Sequence, residues 1–142
     1  MRGWIAICET TGMPPDVNQL TQKIIGAAIQ VHRELGPGLL ESAYQGCLEF
    51  ELRERGLLVE PQVAVPLTYR GHNLGTGYRL DLLVERAVVI EVKSVEKIEP
   101  VHLAQVLSYL RLSGHKIGLL MNFNVKWLVD QGLKRLINGR IE

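Results

Sequence analysis

Residues 78–94 read Y-R-L-D-L-L-V-E-R-A-V-V-I-E-V-K-S. Two apolar runs rich in Val, Ile and Leu flank the polar pair Glu85 and Arg86, a pattern that predicts neighbouring β-strands joined as a hairpin. Asp81 interrupts the first run and Glu91 the second. Because strand side chains alternate faces, Glu91 and Lys93 share one side and Ile90 and Val92 the other. A carboxylate buried without a partner is costly or shifts its pKa until it neutralises, so two of them in strands this apolar call for a reason. A divalent cation is one. The hairpin register decides whether the two carboxylates can meet. If Glu85 and Arg86 alone make the turn, Asp81 falls opposite Ile90, on the face away from Glu91. A loop with an odd number of residues, such as 85–87 with a bulge, pairs Asp81 with Glu91 instead, with Cβ atoms roughly 5 Å apart. Two carboxylates that close repel without a cation, so at least one should show a raised pKa. Taken alone, E-x-K fits a solvated edge strand better. The residues around it tip the balance.

The chain has 142 residues, 46% hydrophobic and 22% charged, which predicts one soluble globular domain over residues 16–142. No apolar run reaches the length of a membrane-spanning helix. A net charge of +1 gives no global basic field, so nucleic-acid binding would rest on a local patch. Cys8 and Cys47 are far apart and neither sits in a C-x-x-C or Cys/His cluster, which speaks against structural zinc and for free thiols in the cytoplasm. Cys47 falls on a helical apolar stripe and is expected in the core. The opening residues carry an apolar patch broken by Glu9 and no small-residue cleavage site. They read as a poorly ordered lead-in over residues 1–15, with an alternative start at Met13, rather than as a signal peptide.

After Pro14-Pro15, Asp16 or Asn18 is placed to cap a helix with Leu20, Ile24, Ala28, Val31 and Leu35 on one side, ending at Gly36-Pro37-Gly38. A second helix runs from near Leu39 to about Arg55, with Leu40, Ala43, Tyr44, Cys47, Leu48 and Leu52 as its stripe. Glu41 lies in its first turn, at the border of that stripe. There it either complements the helix dipole or leans toward the sheet. Val59–Tyr69 alternates as a strand, with Pro61 and Pro66 marking an edge or a bulge. A turn at 70–73 leads into the hairpin strands 74–84 and 87–94. Pro100 opens a helix through about Leu112, on which His102, Gln105 and Tyr109 share a face. The apolar stretch 116–123 predicts a buried strand, parallel to an earlier one because a helix precedes it. The tail, with Trp127, Leu128, Leu133, Leu136 and Ile137 among basic residues, reads as an amphipathic helix or helical turn.

Glu41 on a helix, Asp81 on a strand, Glu91-x-Lys93 on the next strand and Gln105-x-x-x-Tyr109 on a helix form an order that resembles the PD-(D/E)XK nuclease superfamily, especially its RecB-like branch. The similarity is closest to the GxxExxY proteins, whose motif stands at Gly38-Leu39-Leu40-Glu41-Ser42-Ala43-Tyr44. It extends over about residues 18 to 138. One departure is that Leu80, not proline, precedes Asp81. The resemblance implies an α/β (α+β) restriction-endonuclease-like core of αβββαβ order, a mixed sheet flanked by helices. It also implies divalent-metal-dependent cleavage of nucleic-acid phosphodiesters, with DNA favoured over RNA as the partner.

Phosphodiester hydrolysis needs an activated water and charge neutralisation on phosphate, which a hard cation supplies. Glu41, Asp81, Glu91 and the Val92 carbonyl are the expected ligands for Mg²⁺, with Mn²⁺ as a substitute. Lys93, kept charged by the carboxylates, orients the water and stabilises negative charge rather than acting as a base. Gln105 and Tyr109 contact the substrate backbone or brace Lys93. The rival is a non-catalytic module of the same fold that binds nucleic acid or protein. A third reading is a homodimerising domain that uses the tail around Trp127.

Overall fold

The computed structural model describes residues 15–141. The expected lead-in and the alternative start at Met13 lie outside them. Helices α1 (Pro15–Leu35) and α2 (Glu41–Glu54) are followed by strands β1 (Val59–Tyr69), β2 (His72–Val84) and β3 (Val88–Lys93). Then come helix α3 (Pro100–Ser113), strand β4 (Ile117–Asn122), one π-helical turn at Leu128–Gly132, and strands β5 (Leu133–Ile137) and β6 (Arg140–Ile141). The six strands form one sheet in the order β1-β2-β3-β4-β5-β6. Only β3 and β4 run parallel, because α3 carries the chain back between them; every other pair is antiparallel. This is the mixed sheet flanked by helices of a restriction-endonuclease-like α+β fold.

The two faces of the sheet carry separate cores. On one, Ile24, Ala28 and Val31 of α1 and Tyr44, Leu48 and Leu52 of α2 pack against Leu82, Ile90, Val92, Leu119 and Met121. On the other, Val106 and Leu110 of α3 pack against Leu83, Val89, Leu120 and Leu136. Gly118 lets α3 come close, since a Cβ there would stand 3.0 Å from Val106 Cγ1. Ile117 through Asn122 are buried throughout, as a strand covered on both faces must be.

Three sequence expectations need correction. First, the first described residue, Pro15, is already helical, so Asp16 and Asn18 lie within α1 rather than capping it. Second, Cys47 is exposed, because α2 buries only the narrow row Tyr44, Leu48 and Leu52 and turns Leu40, Ala43 and Cys47 outward. Third, the tail is no helix beyond one π turn. Residues 133–137 form β5, hydrogen-bonded along β4 from Ile117↔Ile137 to Met121↔Leu133. Gly132 makes that entry possible: a Cβ there would lie 2.1 Å from the Asn122 carbonyl oxygen.

Candidate active site

The β2–β3 connection is tight. Glu85 and Arg86 both adopt φ of 52°, and the Ala87 amide donates to the Val84 carbonyl at 3.0 Å. The ladder then pairs Val84 with Val88, Leu83 with Val89 and Leu82 with Ile90, leaving Ala87 as an extra residue in a three-residue loop. Continued by one step, this register sets Asp81 across from Glu91.

At Asp81 the regular ladder stops. Asp81 Oδ2 accepts the Val92 amide at 2.8 Å, in place of a backbone partner, and the Asp81 carbonyl accepts Gln45 Nε2 of α2 at 3.2 Å. On the β1 side, Leu80 pairs with Val63 and Leu82 with Pro61, while Gln62 between them turns to φ 51°. The strand also changes phase: Leu80 belongs to the core under α3, whereas Leu82 belongs to the core under α1 and α2. A carboxylate at such a break is held by the backbone around it and fixed in direction.

Glu91 is buried on the α3 side of β3, the face of Val89. Lys93 Nζ lies 3.9 Å from Glu91 Oε2. Burial and then the Asp81 charge push the Glu91 carboxyl up to about 8, against the opposing pull of Lys93 and the Asp81 backbone amide. Burial also raises Asp81 above the ordinary aspartate range, although the Val92 amide and Lys93 act the other way and Glu41 adds to the rise. Glu91 Oε1 is buried with no hydrogen-bond partner among the described residues. Tyr109 of α3 is raised too, by burial first and then by Glu91 and Asp81, which places its hydroxyl within reach of their field. Its ring packs at 4.8 Å from that of Tyr78 on β2. Gln105, one turn earlier on α3, has a buried Oε1 without a partner.

Glu41 arrives from the opposite helix layer. The loop before it is fastened by Tyr44, which is fully buried and stacked on Phe123 at 4.7 Å. The Tyr44 hydroxyl donates to the Gly36 carbonyl at 2.6 Å and accepts the Leu39 amide at 3.1 Å. Gly38 takes φ 103° in this loop, where a side chain would be strained. Glu41 Oε2 then accepts the Ser94 amide at 3.3 Å, at the carboxyl end of β3. The next residue, Val95, is latched by Asn122, whose side-chain amide accepts from its N–H and donates to its carbonyl, both at 3.0 Å.

The structure therefore brings Asp81, Glu91 and Lys93 together, sets Tyr109 of α3 within their field with Gln105 one turn earlier on that helix, and places Glu41 at their edge. A family model described as the PD-(D/E)XK nuclease superfamily matches residues 18–136. The chain belongs to that superfamily. No curated protein and no solved structure gives a significant match.

The superfamily generally uses divalent metals. The carboxylate pair suits a hard cation: two acids that resist ionising together, one with an unsatisfied buried oxygen, are relieved by a positive charge between them. Among the described residues no group of three or more His, Cys, Asp and Glu side chains is already gathered as a metal would require, and Glu41 stands at the edge of the carboxylate pair. Its charge reaches both acids while its oxygen rests on Ser94. Sequence reasoning missed Gln45, Asn122 and Tyr78. Gln45 was within reach, since it lies one turn after Glu41 on the same helix face. The roles of Asn122 and Tyr78 depend on tertiary contacts that no spacing announces.

Proposed function

We propose that this chain is a nuclease that hydrolyses phosphodiester bonds of nucleic acid with Mg²⁺ or Mn²⁺. The observation that carries the reading is the pair of buried Glu91 and half-buried Asp81, with Lys93 at 3.9 Å from Glu91. When bound, the cation acidifies a water and neutralises phosphate charge. Asp81 and Glu91 would hold it, with Glu41 adding negative charge from the edge. Mg²⁺ keeps several waters, so two protein carboxylates suffice. Lys93 orients the attacking water and stabilises charge on the phosphate. Tyr109 and Gln105 bear on the substrate backbone from the α3 side. A cytoplasmic location goes with this reading, because the exposed Cys47 thiol suits a reducing compartment. No helix of the described residues is long and apolar enough to cross a membrane.

Cleavage of labelled DNA and RNA with and without Mg²⁺ or Mn²⁺ tests the reading. Lys93→Ala should lower the rate by ~100-fold or more while calorimetry shows metal still bound, since an ammonium supplies no ligand. Asp81→Ala and Glu91→Ala should lose the metal without unfolding. Equal metal affinity in these variants and wild type would instead favour a binding module of the same fold.

A further inference from the structure

Beyond Val65 and Tyr78, β1 and β2 leave the body of the sheet as a two-stranded ribbon. From Pro66 round to Gly77 every residue is exposed except the half-buried Leu67, with Tyr69 at 62% and Leu74 at 60%. Its internal packing is slight: Leu67 covers Gly77, where a Cβ would stand 2.8 Å from Leu67 Cβ. A ribbon with solvent on both faces gains little from burial, so the fold alone does not account for it. Its charge is one-sided. From Pro61 to Leu80 there is no acidic residue, while Arg70, His72 and Arg79 are exposed. Arg70 and Gly71, at φ 51° and 82°, form the tip between the paired residues Tyr69 and His72. Register shifts at Val65/Pro66 and Pro66/Thr68 bend and twist the ribbon. Pro61 and Pro66 deprive the outer edge of amide donors, which disfavours strand addition by a protein partner.

We propose that this ribbon enters the major groove of duplex DNA, with Arg70 at its tip and Arg79 at its root on the phosphates. This rests on the nuclease reading and names its substrate class. Two strands lie ~4.8 Å apart, and the B-form major groove, ~12 Å wide, admits such a ribbon. The deep, narrow major groove of an RNA duplex does not. Single strands are gripped by rows of stacking aromatic rings, and the exposed ribbon offers only Tyr69. Strand β2 links the two functions physically. It runs from Asn73 near the tip to Asp81 in the carboxylate pair, about 26 Å at ~3.3 Å per residue. A duplex seated on the ribbon is thereby led to the site, with Arg79 two residues from Asp81.

The test uses the full chain in chelating buffer, so that binding is read without cleavage, with a fluorescent 20-base-pair DNA duplex, its single strand and the matching RNA duplex as probes. The 20-base-pair length is of the order of two helical turns, at ~10.5 base pairs per turn. Arg70→Glu with Arg79→Glu should weaken DNA-duplex affinity by at least ~10-fold and reduce the slope of log affinity against log salt by about 2. Arg70→Glu alone, at the solvent-exposed tip, should do about half of this with an unchanged circular dichroism spectrum and melting temperature. Unchanged duplex affinity and slope overturn the proposal, as does equal weakening on single strands or RNA duplex. The two readings fail separately. Ribbon-dependent duplex binding in a protein that cuts nothing keeps this inference and removes the nuclease; cleavage with ribbon-independent affinity does the reverse.

Discussion

Glu91 ionises against the apolar strands that bury it, then the Asp81 carboxyl beside it and, more weakly, the Glu41 charge, while Lys93 and a backbone amide assist. Its folded pKa of about 8 stands above the ordinary 4.5. Below the ordinary value the group is protonated in both folded and unfolded chains, and it costs nothing. Between the two values the unfolded chain has released the proton that the folded one keeps, so stability falls as pH rises, by at most ~1.4 kcal/mol per pH unit for this group. Above the folded value the whole penalty is present. Asp81, raised as well, acts in the same direction. Urea denaturation in chelator should therefore show Glu91→Gln gaining on wild type from pH 5 up to about pH 8 and levelling off above it; a gap that stays constant with pH would refute the assignment. The charges themselves were legible, because Asp81 and Glu91 stand out within apolar runs. Their meeting was not: it depends on Glu85 and Arg86 both taking positive φ without the Gly or Asn that announces such turns. Cys47 was misplaced for the opposite reason, since a stripe read by spacing is wider than the row of side chains a neighbouring layer covers.

Among the elements, α2 shows how a short sequence motif becomes geometry. Tyr44 ties down the loop that delivers Glu41, so Tyr44→Phe leaves the Gly36 carbonyl and the Leu39 amide without their partner. A loss of about 2 kcal/mol is expected, seen as a lower urea midpoint at unchanged slope; an unaltered midpoint would show that the fastening is idle. The tail teaches a different lesson. Leu133, Leu136 and Ile137 have no strict alternation because β5 meets a core on either face, and a short apolar run of that kind does not separate strand from helix. What fixes the strand is the close approach at Gly132. Gly132→Ala should cost about 3 kcal/mol, since the added carbon collides with the backbone of Asn122, and thermal denaturation would reveal it. Wild-type stability in that variant would mean that β5 is free to shift.

At the scale of the whole molecule, sequential order made most of the architecture readable: two helices, a meander of three strands, then a crossover helix that obliges β4 to run parallel to β3. Strand β5 escaped because its partner is β4, met after a π turn rather than a recognisable hairpin, and β6, which pairs with β5, is only two residues long. A net charge of +1 hid the layout of charge, which places acids at the site and bases on the ribbon. The position of β4 bears on time as well as space. Its six residues are buried in the finished sheet, yet one of its two edges is closed only by β5, the segment made after it. While the chain is still being synthesised, Ile117 to Asn122 can emerge with that edge open. Such an apolar strand pairs readily with another copy of itself, so the closing strand guards the nascent protein against aggregation.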